Sequence, residues 1–445
     1  MSKRIVVLGG AESGTGAAVL AKLQGFEVFL SDMGKIPVHF IKKLNEYNIP
    51  FEQEQHSEEL ICNATEIIKS PGIPTKAPII QKLLALNIPI ISEIEFASRY
   101  TNAKMIAITG TNGKTTTTLL TYHLLKNAGL NVGLAGNVGN SFAMQVATEK
   151  FDYYVLELSS FMLDDMFKFK ADIAILTNIT PDHLDRYDYQ MQNYVNSKFR
   201  ITQNQTSSDY FIYCKDDAVI QAAIESQHIE STMIPFSIEE ELAFGASISN
   251  QNLNIKLNLN SFTMTIQELA LQGKHNLYNS MASGVAAKLL DIRNETLKES
   301  MSDFKNAPHR LEHVARIQGI EFINDSKATN VNSTWYALES INTPIVWIAG
   351  GVDKGNDYSM LTQLVKDRVR AIVCLGTDNS KIHEAFGNVV DVIVNTSSAK
   401  EAAEVSYHLG KKGDTVLLSP ACASFDLFKN YEDRGQQFME AVKEL

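Results

Sequence analysis

Short apolar runs rich in β-branched residues alternate with longer stretches of helical periodicity along the whole chain. The runs cover residues 5–8, 27–30, 105–109, 153–158, 173–177, 345–348, 371–375 and 415–418. Strands that alternate with helices form βαβ units, which assemble mainly parallel sheets. The segment 248–266 differs, because polar and apolar residues alternate there and predict antiparallel strands. We therefore predict an α/β protein.

The length predicts how these elements are grouped. A chain of 445 residues corresponds to about three domains, at roughly 150 residues per domain. We expect a Rossmann-like N-terminal domain over residues 1–95, a central P-loop ATPase-like domain with a mainly parallel sheet over 96–305, and a Rossmann-like C-terminal domain over 306–445. The first boundary follows the proline-marked segment around Pro89, and the second lies where a helical stretch ends before Pro308.

Composition and charge narrow the possible functions. Apolar residues make up 44% and charged residues 20%, which is ordinary for a folded globular protein. A net charge of -11 argues against general nucleic-acid binding, because a polyanion would meet an acidic surface. The cysteines are isolated, so neither a disulfide framework nor a zinc site is indicated. We expect a monomeric cytoplasmic protein without a signal peptide or a membrane span.

The strongest local motif is Gly110-Thr-Asn-Gly-Lys-Thr-Thr, between a predicted strand and a predicted helix. Glycines allow backbone N–H groups to converge on phosphate oxygens, and the helix N-terminus adds partial positive charge. Lys114 is expected to neutralise the outer phosphates, and Thr115 to place its hydroxyl on Mg²⁺. The spacing is shorter than in the common phosphate loop. The motif predicts a variant nucleotide site made of Gly110, Thr111, Asn112, Gly113, Lys114, Thr115 and Thr116.

A weaker glycine motif, Gly9-Gly-Ala-Glu-Ser-Gly-Thr-Gly, follows the first strand. Its glycines do not match the dinucleotide pattern in order, but Asp32 stands at the end of the next strand, where a ribose-binding acid is expected. The segment predicts a Rossmann-like domain that binds a phosphorylated ligand. The alternative is that the glycines serve only tight turning and helix packing. Ser70-Pro-Gly forms a further turn on the same domain.

A series of short motifs follows in order along the rest of the chain. They are Gly136-Asn-Val-Gly, Glu157-Leu-Ser-Ser-Phe, Asn178-Ile-Thr-Pro-Asp-His-Leu-Asp-Arg, Asn196-Ser-Lys-Phe-Arg, Gly273-Lys-His-Asn-Leu-Tyr-Asn, Pro308-His-Arg, Asn324-Asp-Ser-Lys-Ala-Thr-Asn and Ser419-Pro-Ala-Cys-Ala-Ser-Phe-Asp. Together with the phosphate loop, these motifs resemble those of the Mur ligases of peptidoglycan synthesis. The motifs that begin at Glu157, Asn324 and Ser419 resemble the branch that adds D-glutamate to UDP-N-acetylmuramoyl-L-alanine.

The resemblance implies a ligase that uses ATP to convert a carboxylate into an acyl phosphate, which an amine then attacks. Two Mg²⁺ ions are implied, the first held by Thr115 and Glu157 and the second flanked by His183 and Lys198. In the family, the lysine that Lys198 matches is carbamylated, which turns a cation into an anion able to bind metal. Lys114, Glu157, His183 and Lys198 are the implied catalytic residues.

The remaining matches concern the substrates. The residues that match ATP contacts outside the loop are Asn276, Asn279, Arg310 and Asp325. The residues that match the UDP-sugar site are Gly14, Thr15, Gly16, Ser31, Asp32, Ser70, Pro71, Gly72, Asn137 and Ser159. The residues that match the D-glutamate site are Lys327, Thr329, Lys354, Ser424, Phe425 and Tyr431. The resemblance also implies that the third domain closes over ATP and excludes water.

Two positions depart from the family pattern, and several alternatives stay open. Met162 stands where the family usually has glutamine, so a polar contact is lost or replaced there. Tyr431 stands where some members have phenylalanine, which adds a hydroxyl near the glutamate pocket. The alternatives are a sister ligase for another amino acid, a folylpolyglutamate synthetase-like ligase, and a nucleotide-binding module without catalysis. A nicotinamide dehydrogenase would leave the loop at Gly110 without a function.

Overall fold

The computed structural model describes residues 3–258 and 260–445. Met1 and Ser2, in the predicted first domain, and Leu259, in the predicted alternating segment, lie outside the described residues. Each predicted apolar run coincides with a strand, with differences of at most two residues at an end. The strands form three sheets, so the predicted mainly parallel α/β architecture is confirmed. Among the described helices, none has the length and apolar character that a membrane crossing requires.

The first sheet is Rossmann-like and entirely parallel. Its strands are β1 (Arg4–Leu8), β2 (Glu27–Asp32), β3 (Phe51–Gln53), β4 (Glu66–Lys69) and β5 (Ile90–Ser92), in the spatial order β3-β2-β1-β4-β5. The accompanying helices are α1 (Glu12–Leu23), α2 (Val38–Glu46), α3 (Glu58–Ile61), α4 (Pro78–Ala85) and α5 (Glu93–Ser98). Residues 5–8 of the central strand are buried, as expected in a parallel sheet whose two faces are covered.

The second sheet carries the phosphate loop. Its strands are β6 (Lys104–Thr109), β7 (Val132–Gly136), β8 (Tyr153–Glu157), β9 (Ile173–Leu176), β10 (Tyr210–Cys214), β11 (Thr232–Ser237), β12 (Gly245–Ser249), β13 (Asn252–Leu257) and β14 (Asn260–Thr265). Their order is β14-β13-β12-β11-β10-β9-β6-β8-β7. The pairs β12–β13 and β13–β14 are antiparallel, which confirms the interpretation of the alternating segment. The helices are α6 (Lys114–Asn127), α7 (Phe142–Thr148), α8 (Ser160–Asp164), α9 (Met191–Phe199), α10 (Ala218–Ser226), α11 (Lys274–Leu289) and α12 (Asn294–Asp303).

The third sheet is parallel except for its first pair. Its strands are β15 (Glu312–Ile317), β16 (Ile320–Asn324), β17 (Ile345–Ala349), β18 (Val369–Leu375), β19 (Ile393–Thr396) and β20 (Thr415–Leu418), in the order β15-β16-β20-β17-β18-β19. The helices are α13 (Val331–Ser340), α14 (Thr362–Arg368), α15 (Ser380–Phe386), α16 (Ala399–Leu409) and α17 (Tyr431–Lys443). The buried Trp347 on β17 packs against Phe386 of α15, with ring centroids 5.4 Å apart.

The chain forms two compact units. One contains the residues up to Ala270 together with Tyr278–Phe304, and the other contains Leu271–Leu277 and Lys305–Leu445. The first predicted domain boundary, at residue 95, lies inside the first unit. The second, at residue 306, lies next to the start of the second unit at Lys305. Both boundaries stay predictions.

Buried carboxylates at the start of α5 join the first sheet to the second within the first unit. Oε2 of Glu95 accepts hydrogen bonds from the backbone N–H groups of residues 167, 168 and 169 at 3.0, 3.0 and 2.8 Å. Oε1 of Glu93 accepts from the Ser141 hydroxyl at 2.6 Å and from the Ala143 N–H at 2.7 Å. A buried carboxylate is tolerated only with such donors. The segment between the two sheets is therefore a rigid junction.

Burial raises the pKa of Glu93 to about 7, although the hydrogen bonds from Ser141 and Ala143 act in the opposite direction. The folded state therefore holds the Glu93 proton more tightly than the unfolded chain does. This contribution to folding stability is fully present below the unfolded pKa near 4.5, and it is lost as the pH rises through about 7. We expect Glu93→Gln to remove this loss, because an amide oxygen still accepts both hydrogen bonds but cannot ionise.

Calorimetric unfolding of wild type and Glu93→Gln at pH 5, 6, 7 and 8 checks this expectation. The melting temperature of wild type relative to the variant should fall across the series. The exposed Glu59→Gln is the control, and its difference from wild type should stay constant. Parallel curves for wild type and Glu93→Gln would contradict the assigned titration.

Candidate active site

The order β9-β6-β8 places the carboxyl ends of three parallel strands side by side. The phosphate loop follows β6, Glu157 ends β8, and the segment that begins at Thr177 follows β9. Ligands in open α/β sheets bind at the carboxyl edge of the strands. The three motifs, which are far apart in sequence, therefore meet at one edge.

The loop has the backbone conformation that its glycines predict. Gly113 caps the N-terminus of α6 with φ +81°, a left-handed value, and a Cβ there would lie 2.4 Å from Oδ1 of Asn279. A larger residue is excluded by both conformation and space. Nζ of Lys114 donates to the carbonyls of Gly110 at 2.9 Å and Thr111 at 2.8 Å. Thr115 and Thr116 are buried in the first turn of α6.

The segment after β9 holds this loop in place. Asn178 accepts from the backbone N–H of Asn112 at 2.9 Å and donates its side-chain amide to the Asn112 carbonyl, also at 2.9 Å. The Thr177 hydroxyl donates to the same carbonyl at 2.6 Å. The Thr111 hydroxyl lies 3.1 Å from the phenolic oxygen of Tyr194. The Asn178 motif thus has a structural role in shaping the phosphate loop.

Glu157 has one satisfied and one unsatisfied oxygen. Oε1 accepts from the side-chain amide of Asn137 at 3.1 Å. Oε2 is buried and has no hydrogen-bond partner among the described residues. A buried carboxylate oxygen without a donor is costly unless a ligand or ion completes it. This oxygen fits the predicted Mg²⁺ site.

Within the part of the chain that the structure describes, the buried Lys198 amine makes no hydrogen bond to a carboxylate. Only 2% of the residue is exposed, and Nζ donates to the Gly110 carbonyl at 2.8 Å and to the Thr109 hydroxyl at 3.3 Å. The ring of Tyr194 lies 5.1 Å from Nζ. Burial, with a smaller contribution from Lys114, lowers the pKa of Lys198 well below the usual lysine value. The side chain is thus directed at the phosphate loop.

A cleft of about 340 Å³ brings together seven of the site residues predicted within the first unit, whereas Glu157 and the rest of the phosphate loop do not line it. Its predicted members are Pro71, Gly72, Lys114, Asn137, Ser159, His183 and Lys198. Its unpredicted members are Ser160, Phe161, Asp182, Arg186 and Tyr194. Phe161, Asp182 and Arg186 stand inside the motifs that carry the family resemblance. The sequence therefore marked their positions, but it did not indicate what each residue does.

His183 reaches the cleft through a strained backbone. Its φ is +52°, a left-handed value that a non-glycine residue seldom adopts. Its backbone N–H donates to Oδ1 of Asp182 at 2.9 Å, and its ring meets the ring of Phe161 edge-on at 5.2 Å. Strain of this kind is concentrated at functional sites.

The N-terminal glycines do not form the predicted diphosphate turn. Gly14, Thr15 and Gly16 lie inside α1, because the helix begins at Glu12, and the turn is made by residues 9–11. A Cβ on Gly14 would lie 1.8 Å from the Gly9 carbonyl oxygen, and one on Gly16 would lie 2.0 Å from the Ser141 hydroxyl. The close approaches show that Gly14 and Gly16 take part in packing, as the alternative interpretation expects, but they do not test ligand binding. Ligand contact by these three residues stays a prediction.

The other nucleotide-sugar candidates surround that turn. Oδ2 of Asp32 accepts from the Gly10 N–H at 2.5 Å. The buried Ser31 hydroxyl lies 2.7 Å from Oε1 of Glu52 and 2.6 Å from Nδ1 of His56. The Ser70 hydroxyl is buried and has no partner among the described residues, so it is available for a ligand.

Of the candidate ATP residues outside the loop, Asn276, Asn279 and Asp325 are buried, whereas Arg310 is half-buried. Asn276 and Asn279 lie on α11, where Oδ1 of Asn279 accepts from the Thr117 hydroxyl at 3.1 Å and Nδ2 of Asn276 donates to the Gln272 carbonyl at 2.8 Å. In the second unit, Nε of Arg310 is buried without a hydrogen-bond partner among the described residues. Burial raises the pKa of Asp325 to about 7, and the Arg310 guanidinium opposes the rise.

The glutamate candidates lie in the second unit. Nζ of Lys327 lies 5.2 Å from the ring centre of Tyr431, Ser424 is buried, and Phe425 is 70% exposed. Thr329 follows Lys327 in the loop after β16, and Lys354 is exposed in the loop after β17.

The fully buried Arg434, which sequence analysis missed, ties the segments of this region together. It donates to the Ser326 hydroxyl and carbonyl, each at 2.9 Å, and to the Cys422 carbonyl at 3.2 Å. The planar guanidinium thus donates to carbonyls of the loop after β16 and of the loop after β20, and it holds these two loops together.

Met162, which stands where the family usually has glutamine, is a buried residue. Met162 is 5% exposed, and its backbone N–H is capped by the Ser159 hydroxyl at 3.3 Å. It does not line the cleft, whereas Ser160 and Phe161 do. The side chain belongs to the apolar core.

Family models and sequence relatives of this chain all point to the Mur ligases. Three family models match: the Mur ligase MurD-like N-terminal domain over residues 3–92, the Mur ligase middle domain over 108–287 and the Mur ligase glutamate ligase domain over 309–422. A relative from Christiangramia forsetii is named UDP-N-acetylmuramoylalanine--D-glutamate ligase and is 56% identical over 445 residues, covering 100% of both chains. A relative from Cytophaga hutchinsonii with the same name is 53% identical over 448 residues, again covering 100% of both.

Solved structures share the fold at low sequence identity. UDP-N-acetylmuramate-alanine ligase MurC of Thermotoga maritima has a TM-score of 0.63 and 18% identity, with 100% of both chains covered. The MurF ligase of the same organism, in complex with ADP, has a TM-score of 0.62 and 14% identity, with 94% of this chain and 95% of that one covered. Taken with the full-length relatives, the phosphate loop and the cleft, these matches show that the chain belongs to the Mur ligase family.

Proposed function

We propose that this chain adds D-glutamate to UDP-N-acetylmuramoyl-L-alanine in an ATP-dependent reaction of peptidoglycan precursor synthesis. The observation that carries the proposal is the cleft in which the phosphate loop's Lys114 adjoins Lys198, His183 and the predicted sugar-binding residues Asn137 and Ser159. The names of relatives at 53–56% identity over the full length support the same substrates. We also propose that the enzyme is monomeric and cytoplasmic and that it binds no nucleic acid.

The proposed chemistry has two steps. A carboxylate oxygen of the acceptor attacks the γ-phosphorus of ATP, and the bond to the bridging oxygen breaks to release ADP. The D-glutamate nitrogen then attacks the acyl carbon, loses a proton, and expels phosphate as the amide forms. Both steps build negative charge at phosphate oxygens, so preorganised cations and N–H donors provide the main stabilisation. Lys114 and the first turn of α6 supply them.

The residues fit the proposed Mg²⁺ ions. Glu157 offers a buried oxygen without a partner, and Thr115 lies in the first turn of the neighbouring α6. Among the described residues there is no cluster of three or more His, Cys, Asp or Glu side chains. This agrees with Mg²⁺ sites completed by phosphate oxygens and water. When bound, the ions would neutralise phosphate charge.

Glu157→Gln should raise the Mg²⁺ concentration needed for half-maximal turnover and lower kcat by roughly 100-fold, because the first metal loses its anionic ligand. The Asn137 hydrogen bond can persist in the variant, so folding should be retained. Titration of Mn²⁺ binding in the presence of ATP, followed by electron paramagnetic resonance, gives a readout independent of turnover. The exposed Glu149→Gln is the matched control. Unchanged metal affinity in Glu157→Gln would contradict the assignment.

Carbamylation of Lys198 forms part of the proposal. A carbamate forms when a neutral amine attacks CO₂ and releases a proton, and the buried position of Lys198 favours the neutral amine. The anionic product would be placed beside the phosphate loop, where the Gly110 carbonyl now accepts from Nζ. His183 lines the same cleft.

Lys198→Ala should lower kcat by roughly 1,000-fold, and bicarbonate should not restore it. Wild-type protein incubated with ¹³C-bicarbonate should show a carbamate resonance by NMR that Lys198→Ala lacks. The exposed Lys126→Ala should keep both the resonance and the activity. Full turnover in Lys198→Ala, or an unchanged resonance, would refute the role of the modified lysine.

The proposed reaction is tested by phosphate release from ATP with Mg²⁺ and UDP-N-acetylmuramoyl-L-alanine. We expect release only when D-glutamate is added, and not with L-glutamate, L-lysine, diaminopimelate or no amino acid. Turnover with L-lysine or diaminopimelate alone would favour a sister ligase. ATP binding without release for any amino acid would favour a non-catalytic module.

A further inference from the structure

We infer that Arg186 is a further substrate-binding residue, whose guanidinium binds an oxyanion of the UDP-linked acceptor. The oxyanion is a phosphate or a carboxylate, the two anionic groups that this substrate presents. The inference rests on the proposed function, because it assigns a residue to the same cleft. Neither the phosphate-loop pattern nor the predicted sugar-binding set includes Arg186.

The Arg186 guanidinium lies against an aromatic side chain. Cζ of Arg186 lies 4.5 Å from the ring centre of Phe161, in a cation–π contact. Phe161 also stacks on Tyr187, with ring planes 12° apart and centres separated by 6.1 Å. The contact restrains the guanidinium at the cleft, and a guanidinium is planar with its N–H groups along its edge. That is the geometry for two parallel hydrogen bonds to a planar or tetrahedral oxyanion.

Most of the donor capacity of Arg186 remains for a ligand. Its Nη2 donates to the Gly72 carbonyl at 3.2 Å. Over residues 3–258 and 260–445, no carboxylate forms an ion pair with it. An arginine side chain carries five N–H donors, so one carbonyl leaves several without a protein acceptor.

The surroundings favour an anion from the acceptor substrate. Apart from Lys198, which is proposed above to be carbamylated, the charged groups that line the cleft are the cations of Lys114 and Arg186 and one carboxylate, that of Asp182. Both lysines direct their Nζ atoms at the phosphate-loop carbonyl of Gly110. Arg186 instead contacts the turn that contains Gly72, which sequence analysis assigned to the nucleotide sugar.

A second contact joins the same two segments and provides a matched control. Nζ of Lys76 lies 2.7 Å from Oδ1 of Asp188, with 74% and 66% of the side chains exposed. This ion pair lies outside the cleft lining. If Arg186 acts only by holding the two segments together, removal of the Lys76 pair should have a comparable effect.

The test compares Arg186→Ala, Arg186→Lys and Lys76→Ala by steady-state kinetics. Arg186→Ala should raise KM for the UDP-linked acceptor by roughly 10- to 100-fold, the loss expected for a charge-assisted hydrogen-bonded pair. KM for ATP and for D-glutamate should stay unchanged. Arg186→Lys should recover only part of the loss, because an ammonium has no planar fork. Lys76→Ala should behave as wild type.

Calorimetric binding of UDP and of UDP-N-acetylmuramoyl-L-alanine identifies the oxyanion. Weaker binding of both ligands to Arg186→Ala would assign the diphosphate, and weaker binding of the complete acceptor alone would assign its carboxylate. Unchanged affinity for both ligands, or an equal loss in Lys76→Ala, would overturn the inference. Because this measurement needs no turnover, it tests Arg186 even if phosphate release fails. Normal wild-type turnover with an unaffected Arg186→Ala would refute the inference alone.

Discussion

The adjacency of β9, β6 and β8 is the constraint on which the site depends. Parallel strands deliver their carboxyl ends to one edge, so the phosphate loop, Glu157 and the Asn178 segment meet without any long loop. The loop then keeps its conformation because Asn178 and Thr177 satisfy the backbone of Asn112. Since the backbone groups of this loop have no partner strand, the side chains of the segment that follows β9 supply the missing support.

Several ionisable side chains of this protein are buried. Lys198 and Arg434 are almost fully buried, and their hydrogen bonds go to carbonyl and hydroxyl oxygens. A buried cation with neutral partners is destabilising relative to a paired one, whereas an anionic ligand or modification would offset that cost. Glu157 shows the complementary situation, a buried anion with one oxygen unsatisfied. The loss of folding stability at these buried charged side chains is what we expect of sites that bind charged ligands.

The sequence predicted the fold well because strand and glycine patterns are local. The three sheets, the antiparallel addition of β13 and β14 and the loop before α6 follow from periodicity and turn chemistry over short windows. The glycine pattern did not show where α1 begins, so it did not reveal that Gly14, Thr15 and Gly16 lie inside the helix or that Gly16 approaches Ser141, 125 residues further along the chain. Arg434 and Phe161 could not be given roles either, since their importance comes from which distant groups they touch.

The net charge and the local charge of the protein have opposite signs, and this shapes how substrates reach the cleft. The chain carries -11 overall, yet apart from Lys198, which is proposed to be carbamylated, its cleft is lined by two cations, Lys114 and Arg186, and one carboxylate, Asp182. The proposed ligands, ATP, a UDP-linked sugar and D-glutamate, are all anions, so the long-range field would repel them while the short-range field would attract them. Salt screens the first effect over about 8 Å at physiological ionic strength and acts less on a partly enclosed site. Binding selectivity would therefore rest on contacts inside the cleft, where the proposed contact of the Arg186 guanidinium would discriminate between anions by geometry as well as by charge.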